Sequence, residues 1–284
     1  MIRSDEADPA AKLPTYTDVQ AAAQRLQGQA VRTPLLESPA LNDRVGGRIL
    51  LKAETLQRTG SFKFRGAFNR ISQIPEADRA GGVVAYSSGN HAQGVAAAAQ
   101  LLGLPAVIVM PADAPAIKVE NTRGFGAEVV FYDRYSENRE EIGAAIAAER
   151  KATLVKPYDD PGVIAGQGTC GVEVFEEAKT RNLALDALLV CCGGGGLTAG
   201  CGLALEALSP QTQLYAVEPE DYDDTKRSLQ VGHPVPHPEA EASICDALLS
   251  PQPGDITFAV NRHRLAGGLT VSDAEVKAAM RFAF

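Results

Sequence analysis

The stretch ALLVCCGGGGLTAGCGLALEAL, residues 187 to 208, reads as a short apolar strand, four consecutive glycines and an apolar helix. A continuous apolar run closed by a turn signal fits a strand buried on both faces, as in a parallel sheet. The same unit recurs on either side. Upstream, GVVAY (82–86) leads to a helix from about Ala92 to Leu102, and AVIVM (106–110) to a helix around 115 to 124. EVVFY (128–132) is followed by ENREEIGAAIAAER (137–150), and then comes ATLVKP (152–157). A helix around 163 to 180 precedes the quoted stretch, and the strand LYAVEP (214–219) follows it. This alternation predicts an α/β protein of two lobes, with mostly parallel sheets flanked by helices. The two prolines of PYDDPG (157–162) mark a break. Residues 82–158 are therefore read as a small inserted α/β domain, with 1–81 and 159–284 forming a larger one. Near the start, Thr17 and Gln20 fit a capping box ahead of an apolar face made by Val19, Ala22, Ala23 and Leu26.

Composition restricts the partners. With 45% hydrophobic and 22% charged residues the chain has the makeup of a soluble globular protein with a sizeable core. A net charge of -8 opposes nucleic acid and anionic lipid, which leaves small molecules. No apolar run approaches the roughly 20 residues of a membrane span. MIRSDEADPA lacks the basic start and apolar core of a secretory signal, so a cytoplasmic location is expected. Cys170, Cys191, Cys192, Cys201 and Cys245 lack paired zinc spacing and are read as buried free thiols.

Three stretches carry chemistry. In TGSFKFRGA (59–67), Phe64, Ala67, Phe68 and Ile71 define a helical stripe, which puts Lys63 at the first turn. The positive end of the helix dipole and the neighbour Phe62 both disfavour its charged form. An uncharged amine is what condensation with an aldehyde requires. Gly193 to Gly196 open a helix, where unhindered N–H groups suit a phosphate. In YSSGNHAQG (86–94), Ser87, Ser88, Asn90, His91 and the N–H of Gly89 crowd donors around another helix start, a receptor for a carboxylate. Each stretch alone has an ordinary reading: a lysine stem covering apolar surface, a tight turn, a capped helix. Glu218 also lies near the spacing of the ribose-binding acid of nicotinamide enzymes, so the glycines alone do not exclude that class. Together, lysine, phosphate cup and carboxylate loop suggest pyridoxal 5'-phosphate acting on an amino acid.

GSFKFRGA, SSGNHAQGVA, PYDDPGVIAGQGT and GGGGL resemble the serine/threonine dehydratase and serine racemase family of fold type II pyridoxal-phosphate enzymes, with the tryptophan synthase beta-like architecture. The resemblance runs from about residue 15 to 282. It implies that Lys63 holds the cofactor, Phe62 lies against its ring, Asn90 bonds its 3'-oxygen, and Gly193, Gly194, Gly195, Gly196 and Leu197 hold its phosphate. Ser87, Ser88, Gly89, Asn90 and His91 would bind the substrate carboxylate. Ser88 matches the serine that exchanges a proton opposite the lysine in serine racemases. Glu218, the carbonyl of Tyr222, and Asp224 match positions where such relatives bind Mg2+ or Ca2+. Tyr158 is placed near the β-substituent, and a homodimer is implied. The expected reaction is β-elimination from L-threonine or L-serine to a 2-oxo acid and ammonia, with Lys63 abstracting the α-proton. Serine racemisation and 3-hydroxyaspartate dehydration are the alternatives within the family, and a non-catalytic ligand-binding module is the alternative outside it. The family continues past a segment like SDAEVKAAMRFAF (272–284), which reads as a helix cut in mid-pattern, so a C-terminal truncation is expected.

Overall fold

Two of the three sheets are wholly parallel, as the strand–helix alternation requires. The computed structural model describes residues 13–87, 89–238 and 243–283. The exception is an antiparallel pair, β1 (Leu35–Glu37) with β2 (Leu50–Lys52). The first parallel sheet contains β3 (Val83–Tyr86), β4 (Ala106–Pro111), β5 (Glu128–Tyr132) and β6 (Thr153–Leu154), in the order β5-β4-β3-β6. The second has the order β7-β8-β9, from β7 (Ala187–Cys191), β8 (Gln213–Pro219) and β9 (Leu265–Val271).

The helices start close to the expected positions. Ahead of the first parallel sheet come α1 (Tyr16–Leu26), α2 (Pro39–Val45) and α3 (Lys63–Ser72). Within it lie α4 (Asn90–Leu102), α5 (Ala116–Gly124) and α6 (Arg139–Arg150), followed by α7 (Pro161–Thr180). The second sheet is accompanied by α8 (Gly196–Leu208), α9 (Asp224–Val231), α10 (Asp255–Asn261) and α11 (Asp273–Ala283). One cap differs from expectation. Thr15, not Thr17, begins α1: its N–H and hydroxyl both donate to Asp18 at 2.8 Å. Two threonines stand close together here, and the Thr15–Asp18 pair closes the box ahead of the second. Thr17 is left inside the helix.

What positions the site is a spine of small residues in α7. A methyl added at Gly166 would strike the Arg65 carbonyl and the Cα of Gly66, each at 2.6 Å. One added at Gly200 would strike the backbone of Gly168. Helix α7 therefore touches α3 and α8 backbone to backbone, and brings the starts of those two helices toward one place. The contact with α3 is reinforced by Arg65, fully buried, whose guanidinium bonds Glu54 at 2.7 and 2.8 Å and Glu173 at 2.7 and 2.9 Å. Such paired geometry is what makes a buried charge tolerable.

Apolar residues of α3, α4, β3 and β4, with Leu26 and Val163, form one core cluster, and those of α1, α7, α8, β7 and β8 form another. All five cysteines are free. Cys170, Cys192 and Cys201 are buried as expected; Cys191 is exposed and Cys245 half-buried, a correction that follows from their place at a cavity. Among the described residues no helix is long and apolar enough to cross a membrane.

Candidate active site

A cavity of about 470 Å³ opens beyond the C-terminal ends of β3 and β7, the position ligands take in open parallel sheets. Its wall includes Phe62, Lys63, Ser87, Gly89, Asn90, His91, Gly193 to Gly196 and Leu197. Three stretches far apart in sequence thus meet on one surface. Ser88 lies outside the described residues.

Helix α8 begins on Gly195 and α4 on Gly89, and neither start has a side-chain cap. Among the described residues both helix N-termini keep N–H groups without a partner beside the same cavity, and each adds the positive end of a helix dipole. The glycine run has a separate reason at each position. Gly195 has φ +88°, a conformation side chains resist. A methyl at Gly193 would meet Leu248 and Ser250 at 3.2 Å, and one at Gly196 would meet Tyr158 at 3.1 Å. One at Gly194 would fall on the Tyr158 ring. Helix α10 braces the loop from behind. The Thr257 hydroxyl donates to the Gly194 carbonyl at 2.7 Å and the Asn261 amide to the Gly195 carbonyl at 3.2 Å. With those carbonyls engaged, the amides are the groups left for the cavity.

Lys63 opens α3, and its Nζ donates to the Pro157 carbonyl at 2.7 Å. Burial lowers its pKa to about 8. The Phe62 ring centroid lies 5.4 Å from Nζ.

Two donors of the carboxylate loop are already used or of the wrong kind. The Gly89 N–H donates to Ser87 Oγ at 3.2 Å. His91 Nε2 lies 2.8 Å from the Val155 carbonyl, which can only accept, so the proton sits on Nε2. Burial, helped by Lys63, pushes the His91 pKa down to about 3, so the ring is neutral and its buried Nδ1 offers a lone pair with no partner among the described residues. A carboxylate cannot use a lone pair. The backbone N–H groups of Asn90 and His91 remain for it.

Other wall residues were not legible as site residues. Arg139, the first residue of α6, lies over Tyr86 with its guanidinium carbon 5.7 Å from the ring centroid, and it makes no ion pair among the described residues. Lys118 of α5 bonds Asp246 at 2.9 Å beside the same cavity. Nothing in the local pattern of either stretch announces a ligand.

Away from the cavity, the Glu218 carboxylate accepts the N–H groups of Thr225 at 2.8 Å and Lys226 at 2.9 Å, at the start of α9. Asp224 is fully buried, and among the described residues neither carboxylate oxygen has a partner on another residue. Burial first, and Glu218 next, push its pKa up to about 8. Tyr222 lies in the turn between them.

A family model described as pyridoxal-phosphate dependent enzyme matches residues 26–284. The chain is 52% identical to an L-threo-3-hydroxyaspartate ammonia-lyase of Pseudomonas sp, over 95% of this chain and 83% of that protein. It is 43% identical to a serine racemase of Schizosaccharomyces pombe, over 95% and 82%. The crystal structure of a T.th. threonine deaminase superposes with a TM-score of 0.90 at 45% identity, over 95% of this chain and 86% of that one. The half-buried lysine and the two glycine-capped helices thus sit in a chain that, by matched sequence and by superposed fold, belongs to the pyridoxal-phosphate-dependent enzymes of fold type II, among the ammonia-lyases and racemases.

Proposed function

We propose that the chain eliminates water from a β-hydroxy amino acid, releasing ammonia and a 2-oxo acid, and that its substrate is L-threo-3-hydroxyaspartate. The observation that carries the reaction is the meeting of two uncapped helix N-termini with a half-buried lysine in one cavity. The residues fit pyridoxal 5'-phosphate: a lysine of lowered basicity for its aldehyde, and a braced glycine cup for its phosphate. Lys63 would hold it covalently, with Phe62 beside its ring, Asn90 toward its 3'-oxygen, and Gly193 to Gly196 with Leu197 around its phosphate. Bound there, the cofactor withdraws electrons from the substrate α-carbon and so acidifies the α-proton.

The chain's own groups do the rest. The N–H groups of Asn90 and His91, at the start of α4, orient the α-carboxylate. Lys63, once its amine is free, takes the α-proton; an amine with a pKa near 8 is suited to this near neutral pH.

Arg139 supports the dicarboxylic substrate. A guanidinium without an ion pair on the wall suits a second carboxylate, which serine and threonine lack. The relative at 52% identity acts on this compound by its name. Purified holoenzyme is assayed for oxo acid with hydroxyaspartate, serine and threonine. Arg139→Met should raise KM for hydroxyaspartate about tenfold or more while moving that for serine far less. An equal effect on both sinks the dicarboxylate reading. Racemisation is a second reading, favoured by Ser88 in the sequence and by the racemase at 43% identity. Ser88→Ala should abolish enantiomer exchange and spare elimination; parallel loss of both would count against it.

The same reading keeps residues 82–158 as an inserted domain, supported by a four-stranded sheet contained within 83–154. It also gives Glu218, the Tyr222 carbonyl and Asp224 a Mg2+ or Ca2+ ion, supported by the partnerless buried carboxylate. A cytoplasmic homodimer acting on a small amino acid completes it.

A further inference from the structure

A second cavity of about 280 Å³ adjoins the first, and three residues, Tyr86, Pro157 and Tyr158, belong to both walls. Two of the three are committed elsewhere. The Pro157 carbonyl holds Lys63. Tyr86 is 5% exposed, and its ring packs beside Gly143 and under Arg139. Tyr158 is a half-buried loop residue between β6 and α7, with its ring against Gly194.

The two chambers differ in charge. Arg139, Lys63 and the ion pair of Lys118 with Asp246 line the first, a cationic excess; Glu140, Asp159 and Asp255, with Lys156, line the second, an acidic one. Arg139 and Glu140 are consecutive residues in the first turn of α6, yet each serves a different chamber. The Tyr158 phenol has its pKa raised by burial and then by Glu140, so it stays neutral between them.

We propose that Tyr158 is a specificity-determining partition, which confines the substrate β-substituent to the cation-walled chamber and screens it from the acids behind. This rests on the reading of the site as one for β-hydroxy amino acids. Without the ring, the two cavities join. An aryl substituent then gains room, whereas a carboxylate gains acidic neighbours.

The test is calorimetry on holoenzyme with L-phenylalanine and L-aspartate, neither of which carries a leaving group at Cβ. Tyr158→Ala should shift the ratio of their dissociation constants toward L-phenylalanine by about tenfold or more. Tyr158→Phe, which keeps the ring, should hold the wild-type ratio. A smaller shift in Tyr158→Ala, or an equal shift in Tyr158→Phe, overturns the partition. Should Tyr158→Ala not fold, Tyr158→Leu narrows the side chain and is judged by the same ratio. Oxo acid release from L-threo-3-phenylserine is followed in parallel. If neither wild type nor variant releases oxo acid from any β-hydroxy amino acid, the proposed reaction fails, and the binding ratio still decides the partition.

Discussion

Lys63 shows how position sets reactivity. Its side chain opens a helix, is half-buried beside an aromatic ring, and among the described residues its amine bonds a carbonyl alone. Desolvation dominates, and the pKa falls to about 8. The folded value lies below the unfolded one, so between about pH 8 and the ordinary lysine value of about 10.4 the unfolded chain binds the extra proton. This group's contribution to stability therefore rises with pH across that window. The protonated amine cannot condense with an aldehyde, so the rate at which cofactor-free protein takes up pyridoxal 5'-phosphate should rise with pH to a midpoint near 8. A midpoint near 10, followed by absorbance, would mean that the amine is not desolvated. Lys63→Ala should retain no cofactor after borohydride reduction, which turns a lysine imine into a stable amine; stoichiometric labelling of that variant would place the covalent bond elsewhere.

At the scale of elements, the glycine run is a joint between α8, α10 and the 157–161 loop. Gly194→Ala drives a methyl into the Tyr158 ring, and overpacking of this kind costs about 1–3 kcal/mol. It should weaken pyridoxal 5'-phosphate binding about tenfold, measured by titration of the cofactor-free protein. Adding Tyr158→Ala to Gly194→Ala should restore much of that loss, because the methyl then has space. Failure of the double variant to recover would mean that the loop amides, not the ring, were disturbed. The run itself was legible, because its four members are adjacent in sequence and follow an apolar strand. The braces Thr257 and Asn261 were not, because they reach the loop from α10, some sixty residues on. The Pro157 carbonyl is backbone and has no signature at all. Arg139 opens an ordinary capped helix, and only its place on the cavity wall beside residues distant in sequence makes it ligand-facing. Helix starts slipped by one or two residues for a related reason. Glycine caps such as Gly89 carry no side chain to mark the boundary, so α4 begins at Asn90 where the apolar pattern pointed to Ala92.

For the whole molecule, a second electrostatic feature lies outside the cavity. The chain carries a net charge of -8, yet two buried acids, Glu218 and Asp224, stand together where β8 meets α9. Glu218 is stabilised by two backbone N–H groups; among the described residues Asp224 receives none from another residue, and burial pushes it toward its neutral form. A hard divalent cation between them would remove that penalty. It would also stabilise the sheet as a unit, since Glu218 pairs in register with Thr270 of β9, and α9 lies on that strand with Lys226 against Gly268. A ligand bound by the folded state alone adds about 2.7 kcal/mol at a hundredfold excess over its dissociation constant. For a chain of this size that corresponds to a rise in Tm of about 5 °C or more. Chelator-treated holoenzyme should therefore melt lower than the same sample supplied with Mg2+ or Ca2+. Asp224→Asn should melt at one temperature under both conditions, because the amide needs no cation. If wild type melts identically with chelator and with either ion, the three oxygens hold no metal, and Asp224 is then a protonated acid buried for packing.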